Sequence, residues 1–185
     1  MSLHCLVRLL VACAALFATS LHADLVKTIA QVKPSVVIVG TYKVTNSPRF
    51  GLRGTGFVIA EGNSPGSNLV VTNAHVLQRP AEEDTEADLV VQVRKGLTDL
   101  QMRNVTVLEV DSLHDLALLR FEGSAVPGLV LRDSDTVREG QAVAFMGFPI
   151  GGALGFSPVT HRGTVSSIAA AVLPPPTAQH LNAQA

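Results

Sequence analysis

Six short β-like runs, separated by turn residues, precede residue 125 and constrain the fold more than any other feature of the chain. They comprise residues 36–39, 55–60, 69–72, 89–94, 105–110 and 116–121. Clusters of Gly, Pro, Asn or Asp lie between most of them. Because no helical pattern alternates with these runs, they predict an all-β barrel or sandwich rather than a doubly wound α/β fold.

A short helix is predicted before this series. Asp24 can cap its first turn by accepting a hydrogen bond from the backbone. Leu25, Ile29 and Val32 then fall on one face, and Pro34 ends the helix. The sequence therefore predicts one short N-terminal helix in a chain that is otherwise rich in strands.

A second series of strands is predicted after residue 125. Residues 142–148 are one strand candidate, residues 159–172 hold one or two more, and residues 179–184 are a further candidate. The three prolines at 174–176 interrupt any sheet at that point, because proline has no backbone N–H to donate.

The first 23 residues differ from the rest of the chain. Arg8 is followed by an uncharged stretch at 9–18. This stretch is too short to span the roughly 30 Å of bilayer hydrocarbon, but it is typical of the apolar region of a secretory signal. Small residues follow, and cleavage after Ser20 or Ala23 is predicted. We interpret residues 1–23 as a signal peptide, with a buried helix as the alternative.

The two cysteines, Cys5 and Cys13, both lie inside this segment, so the mature chain would contain none. An exported chain without disulfides must be held together by core packing, which favours a bacterial periplasmic or extracellular protein. The residues around Cys13 resemble a lipoprotein signal. However, Cys13 comes only five residues after Arg8 and the apolar run continues past it, so we predict no firm membrane anchor by lipidation there.

Charge excludes some classes of partner. The net charge is −1 and no run rich in Lys and Arg occurs, which argues against binding to nucleic acid or to an anionic membrane surface. Residues 82–88 carry five acids in seven positions. We interpret them as a solvated loop between strands, and an acidic recognition site is the alternative.

A histidine follows the strongest pair of strand signals. Residues 54–59 and 69–72 predict a hairpin, and His75 comes just past the end of its second strand. Small Ala74 precedes it, while polar Thr72 and Asn73 end the strand. This setting predicts an imidazole exposed on a rigid rim, whereas a lone histidine in a β protein is more often structural.

An aspartate lies forty residues later in a comparable position. Asp115 directly precedes the apolar run 116–119, which predicts a buried strand. A carboxylate at that edge is costly to bury unless it is hydrogen-bonded or paired, and an imidazole N–H is a suitable partner. By composition alone, the sequence favours an ordinary strand-edge or turn residue at Asp115.

Together the two segments resemble the trypsin-like serine peptidases, which have the chymotrypsin fold, and especially their bacterial HtrA/Deg branch. That family has a Gly-Ser-Gly-Phe-like strand, a Thr-Asn-Ala-His-Val segment and an Asp-Leu-Ala-Leu-Leu segment, matched here at 54–57, 72–76 and 115–119. Further matches follow in the family's order at 131–135, 137–143, 147–151 and 162–166. One departure is Gly147-Phe148-Pro149, where this branch usually has Gly-Asn-Pro.

The resemblance implies two six-stranded β-barrels with the active site in the cleft between them. It implies His75 as general base and Asp115 as the residue that orients it. The first barrel would then occupy residues 24–125 and a partial second barrel residues 126–185. Polypeptide substrates and a homo-oligomeric assembly are further implications of the resemblance, and no cofactor is implied.

The family also requires a serine in a Gly-Asn-Ser-Gly-Gly or Gly-Asp-Ser-Gly-Gly loop, and residues 1–185 contain neither motif. Residues 181–185 resemble the strand that leads into that loop. We therefore interpret the chain as an N-terminal portion of a serine endopeptidase that is inactive by itself. The alternative is a non-catalytic, protease-like protein that binds peptides or acts as a scaffold.

Three other patterns are interpreted as structural. Ser64 lies in a Gly-x-Ser-x-Gly pattern, but the next residue is Pro65, which has no N–H for an oxyanion, and the following residues are β-like rather than helical. The glycine-rich residues 151–155 lack the Lys-Ser/Thr of a phosphate loop. No metal site is predicted, because ligand spacing is absent among His75, His114, His161 and His180.

Overall fold

The computed structural model describes residues 25–78, 86–95, 99–149 and 156–169. Several predictions concern residues outside these ranges. They are the signal peptide with its cysteines, the cap at Asp24, most of the acidic segment, the glycine-rich segment, the proline run, the strand at 179–184 and His180.

The described residues form ten strands, one α-helix and three short 3₁₀ helices, the last of them Ser134–Thr136. The strands are β1 (Val36–Tyr42), β2 (Phe50–Ile59), β3 (Gly66–Ser67), β4 (Leu69–Thr72), β5 (Asp88–Lys95), β6 (Asp99–Asp111), β7 (Leu116–Phe121), β8 (Val126–Pro127), β9 (Ala142–Gly147) and β10 (Val159–Thr164). Six of them close an antiparallel barrel in the order β1-β2-β4-β7-β6-β5. The prediction of an all-β fold built on a barrel is confirmed.

The interior of the barrel is filled mainly by valine. Alternate residues of an antiparallel strand point to opposite faces, so Val37 and Val39 of β1 point inward together. They pack in one core cluster with Val58, Val70, Val76, Val91, Val93, Leu119 and Phe121. β-Branched side chains suit such a surface because they lose little rotamer freedom on a pleated strand.

Strand β1 is buried on its outer face as well. Val36 and Ile38 are 5% and 0% exposed and form a second cluster with Phe148, which follows β9. Burial on both faces explains why β1 is a continuous apolar run rather than an alternating one. The contact also brings the chain after residue 140 against the outside of the barrel.

The N-terminal helix covers this same side. Helix α1 spans Leu25–Val32 and passes into a 3₁₀ turn, Lys33–Ser35, that contains Pro34. The predicted helix is therefore confirmed, and its α-helical part ends at Val32. A groove of about 210 Å³ runs between α1 and the β9–β10 hairpin. In the described part of the chain, no helix is both long and apolar enough to cross a membrane.

Strands β9 and β10 form a two-stranded antiparallel sheet, with Val159 opposite Gly147 and Thr164 opposite Ala142. The strand predicted at 142–148 is present, one residue shorter. The interval 159–172 contributes one strand in its described part, and residues 165–169 are not in a strand. Phe145 remains 62% exposed on this sheet.

Two barrel strands begin five or more residues earlier than predicted, and β1 ends at Tyr42, three residues later than predicted. β2 begins at Phe50 rather than residue 55, and β6 covers 99–111 rather than 105–110. In both cases the added residues pair with a neighbouring strand, β1 for the start of β2 and β5 for the start of β6. Their glycines and charged residues have low strand propensity, which this pairing overrides. The short β3–β8 sheet was not predicted either.

Candidate active site

His75 lies on a 3₁₀ helix, Ala74–Leu77, directly after β4. Its neighbours Ala74 and Val76 are each 6% exposed, and Val76 belongs to the barrel core. A Cβ at Gly54 would lie 2.6 Å from Val76 Cγ2, so glycine there makes room for this anchor. The imidazole is 63% exposed between two buried residues. The histidine is therefore exposed on the barrel rim, as the sequence predicted.

The far end of the same turn is held by Arg53 on β2. Its guanidinium donates from Nε to the carbonyl oxygen of Val76 at 3.4 Å, and from Nη2 to the carbonyl oxygen of Gln78. The last carbonyls of a helix point away from its own N–H groups, and a cation is well placed at a helix C-terminus. The backbone that carries His75 is therefore fixed at both ends.

Asp115 lies in the turn between β6 and β7 with a backbone φ of +54°. This left-handed conformation is rare for residues other than glycine, and Asp and Asn adopt it more readily than most. The carbonyl oxygen of Asp115 accepts a hydrogen bond from the Ala74 N–H at 3.1 Å. The turn that ends β6 is thereby bonded to the turn that follows β4.

The two side chains meet in a two-point contact. His75 Nδ1 lies 2.6 Å from Asp115 Oδ2, and the His75 backbone N–H donates to Asp115 Oδ1 at 2.8 Å. Asn73 adds a third donor, because its Nδ2 lies 3.2 Å from Oδ2 and 3.1 Å from the Asp115 carbonyl oxygen. The structure therefore brings the two predicted site residues together. The part played by Asn73 was missed, since the sequence marked it only as a polar residue that ends a strand.

These donors favour the ionised form of Asp115 and set the tautomer of His75. Hydrogen bonds from the His75 backbone N–H, then from its ring, hold the pKa of Asp115 below its ordinary value, against a smaller opposing effect of desolvation. An ionised carboxylate can only accept hydrogen bonds, so Nδ1 must carry a proton. In the neutral imidazole, Nε2 then has the free lone pair and can accept a proton from a hydroxyl placed beside it.

A second pair of the same kind was not predicted. His114 Nδ1 lies 2.6 Å from Asp111 Oδ2, and Asp111 Oδ1 accepts from the N–H groups of Leu113 and His114. The side-chain hydrogen bond from His114 is the largest effect that lowers the pKa of Asp111. His114 is 55% exposed, as expected for a surface turn. The signal for this pair is an Asp three residues before a His, which is common in turns.

The remaining candidates stay apart from the His75–Asp115 pair. Ser64 lies in a turn, where its hydroxyl donates to the Gly66 carbonyl oxygen at 2.6 Å. His161, on β10, stacks on Phe145 with ring centroids 5.1 Å apart. Among the residues that the structure describes, no group of three His, Cys, Asp or Glu side chains is arranged to hold a metal ion.

The lowered pKa of Asp115 predicts how the site responds to acid. Because the pKa is lower in the folded chain than in the unfolded one, the contacts with His75 stabilise the fold above pH 3.8 and are lost as the pH falls through the lowered value. We expect the His75 amide proton to titrate with a midpoint below pH 3.8 in an NMR titration. Asp115→Asn should abolish this step and Asp111→Asn should leave it, whereas a midpoint at or above 3.8 would contradict the assignment.

A closed antiparallel barrel with a carboxylate-bound histidine on its rim is typical of one class of hydrolase. Such a pair is the base and its orienting group in hydrolases that use an activated serine. The profile of the trypsin-like peptidase domain matches residues 54–184, more than half of the chain. The chain belongs to the trypsin-like peptidase family. Proteins similar to it carry HtrA and Deg names.

Similar proteins agree with this assignment. "Serine protease HTRA2, mitochondrial" of Drosophila pseudoobscura pseudoobscura is 35% identical over 107 residues, which are 57% of this chain and 22% of that protein. "Serine protease HTR4" of Bos taurus is 32% identical over 127 residues, 65% of this chain and 23% of that protein. The crystal structure of Deg5 matches with a TM-score of 0.59 and 25% identity, covering 77% of this chain and 62% of that one. The chain thus spans about a quarter of the length of these curated relatives.

Proposed function

We propose that the whole protein containing this chain is a serine endopeptidase in which His75 is the general base and Asp115 orients it. The observation that carries the proposal is the two-point contact, in which both carboxylate oxygens of Asp115 bind His75. One oxygen fixes the backbone of the histidine and the other fixes its ring. Such a contact sets the direction of Nε2 more tightly than a single hydrogen bond.

In the proposed reaction, Nε2 of His75 takes the proton of a serine hydroxyl as that oxygen attacks the peptide carbonyl carbon. The imidazolium then gives the proton to the leaving amine, and water repeats the cycle to release the acyl group. The carboxylate of Asp115 stabilises the imidazolium and keeps Nδ1 protonated. We place the serine and the oxyanion donors in sequence outside residues 1–185, so the 185-residue chain alone should not hydrolyse peptides.

The same proposal covers organisation and location. Residues 1–23 would direct export to the bacterial periplasm or medium and then be removed. Residues 24–125 would form the first barrel, with a second barrel beginning at 126. The HTRA2 relatives are mitochondrial by name, so a mitochondrial location is the competing assignment. N-terminal sequencing of the protein recovered from its native source would separate them, since the bacterial proposal requires a start near residue 21 or 24.

Covalent labelling tests the catalytic proposal. The complete product of the gene should react with a fluorophosphonate probe, which phosphonylates an activated serine. Peptide mapping should place the label in a Gly-Asn-Ser-Gly-Gly or Gly-Asp-Ser-Gly-Gly loop. His75→Ala should abolish labelling, and the 185-residue chain, including Ser64, should remain unlabelled.

The same experiment judges the non-catalytic alternative. Absence of label on a complete, folded product would overturn the peptidase proposal and leave a protease-like protein that binds peptides or acts as a scaffold. Label on Ser64, or label that persists in His75→Ala, would contradict the assigned base. Polypeptide substrates and a homo-oligomeric assembly are part of the peptidase proposal and are tested by cleavage of an unfolded protein and by light scattering.

A further inference from the structure

Thr55 lies on β2 just beyond the three residue pairs that join β2 to β4, the last of which is Phe57 with Val71. At this point a side-chain hydrogen bond takes the place of the backbone pairing between the two strands. Thr72, the last residue of β4 and 4% exposed, donates from its hydroxyl to the Thr55 carbonyl oxygen at 2.9 Å. This bond extends the contact between β2 and β4 toward His75, beyond the last residue pair of the two strands.

The side chain of Thr55 makes a second contact in the opposite direction. Its Oγ1 accepts a hydrogen bond at 2.9 Å from the backbone N–H of Phe148, a residue 93 positions later in the chain. Gly147 comes so close that a Cβ there would lie 2.9 Å from Thr55 Oγ1. Glycine at 147 therefore permits the approach that this hydrogen bond needs.

Phe148 is fixed on its other side by the barrel. Its ring is 7% exposed and packs with Val36 and Ile38 on the outer face of β1. A cavity of about 200 Å³ opens beside it, with Thr55, Phe148, Pro149 and His161 among its lining residues. The segment after β9 is thus held by an apolar contact to β1 and a polar contact to β2, and the polar contact depends on one hydroxyl.

We propose that Thr55 is a positioning residue that holds the strand end carrying His75 at a fixed distance from Gly147 and Phe148. Its carbonyl binds the β4 end and its hydroxyl binds the segment after β9. Because both oxygens belong to one residue, neither neighbour shifts without the other. The consequence for turnover rests on the proposed function, in which a serine outside this chain must meet His75.

Two substitutions separate the hydroxyl from the shape of the side chain. Thr55→Val keeps the branched shape and removes the hydroxyl, whereas Thr55→Ser keeps the hydroxyl. In the 185-residue chain, Thr55→Val should speed hydrogen exchange of the Phe148 amide roughly five- to tenfold more than that of the Val70 amide, which lies inside the barrel. Thr55→Ser should leave this ratio unchanged. Equal acceleration of both amides in Thr55→Val would show only general destabilisation and would overturn the proposal.

Turnover of the complete gene product gives the second measurement. Thr55→Val should lower kcat for peptide hydrolysis about tenfold or more, because small displacements of a catalytic group are costly, and Thr55→Ser should restore it. An unchanged kcat alongside faster Phe148 exchange would overturn the role in turnover. Absence of His75-dependent hydrolysis in the unsubstituted protein would instead refute the proposed function, and the exchange ratio would still judge Thr55.

Discussion

Replacing Asp115 by asparagine in the complete gene product should lower kcat/KM for peptide hydrolysis by about 10⁴-fold. Asparagine also tolerates the left-handed backbone found at this position and can still accept the His75 backbone N–H, so the fold should persist. The substitution changes the contact between residue 115 and the imidazole ring of His75. The amide Nδ2 of asparagine donates a hydrogen bond to Nδ1, which leaves the proton on Nε2 and removes the lone pair that a general base needs.

Three further variants make this result specific. His75→Ala should cause a similar loss, and the double variant should be little worse than either single one, because residues that act as a unit are not additive. Asp111→Asn is the matched control, since Asp111 binds His114 at the same 2.6 Å distance but lies outside the pair. Loss of that exposed side-chain contact should change kcat/KM by no more than about fivefold. Additive losses in the double variant would mean that Asp115 does not act through His75.

The sequence predicted His75 and Asp115 as a pair through the family resemblance, because each residue taken alone is only a polar residue beside a clear strand. His75 comes after the apolar run of β4, and Asp115 comes directly before that of β7. Adjacent antiparallel strands place the end of one beside the start of the next, and β4 pairs with β7 in this barrel. The partnership of the two residues therefore follows from strand order, which the family resemblance supplied.

The additional contacts of the site could not be predicted in the same way. The hydrogen bonds of Asn73 and Thr55 depend on the side-chain direction at strand ends and on a chain segment 93 residues away. Polar residues at the end of a strand look alike in a sequence, whether they face solvent or a neighbouring turn. Such contacts are set by tertiary structure, and no local pattern carries them.

The length of β6 was also underestimated from the sequence, for a similar reason. Its first half pairs with β5 through Asn104, and its second half pairs with β7 from Val105, with a register shift between Val107 and Glu109. The polar residues Arg103 and Asn104 lie where the strand passes from one partner to the other. In the sequence they resemble a break, so only the apolar second half was predicted.

Replacing Leu119 by alanine should destabilise the chain by about 2–5 kcal/mol, the largest change in stability that we predict for a leucine. Leu119 is fully buried in the middle of β7, opposite Val70 of β4 and Val107 of β6. Truncation removes apolar contacts and leaves a cavity among close-packed valines, which are stiff at χ1 and cannot swing in to fill it.

Leu113 provides the control in the same part of the chain. It is 66% exposed in the turn before Asp115, so Leu113→Ala should change stability by less than about 0.5 kcal/mol. Urea unfolding of the 185-residue chain followed by circular dichroism measures both variants against the unsubstituted protein. Similar losses in the two variants would mean that Leu119 is not part of a closed core. A large loss confined to Leu119→Ala is the result expected for a closed barrel with a packed interior. The result also concerns the site, because β7 pairs both with β4, the strand before His75, and with β6, the strand before the Asp115 turn.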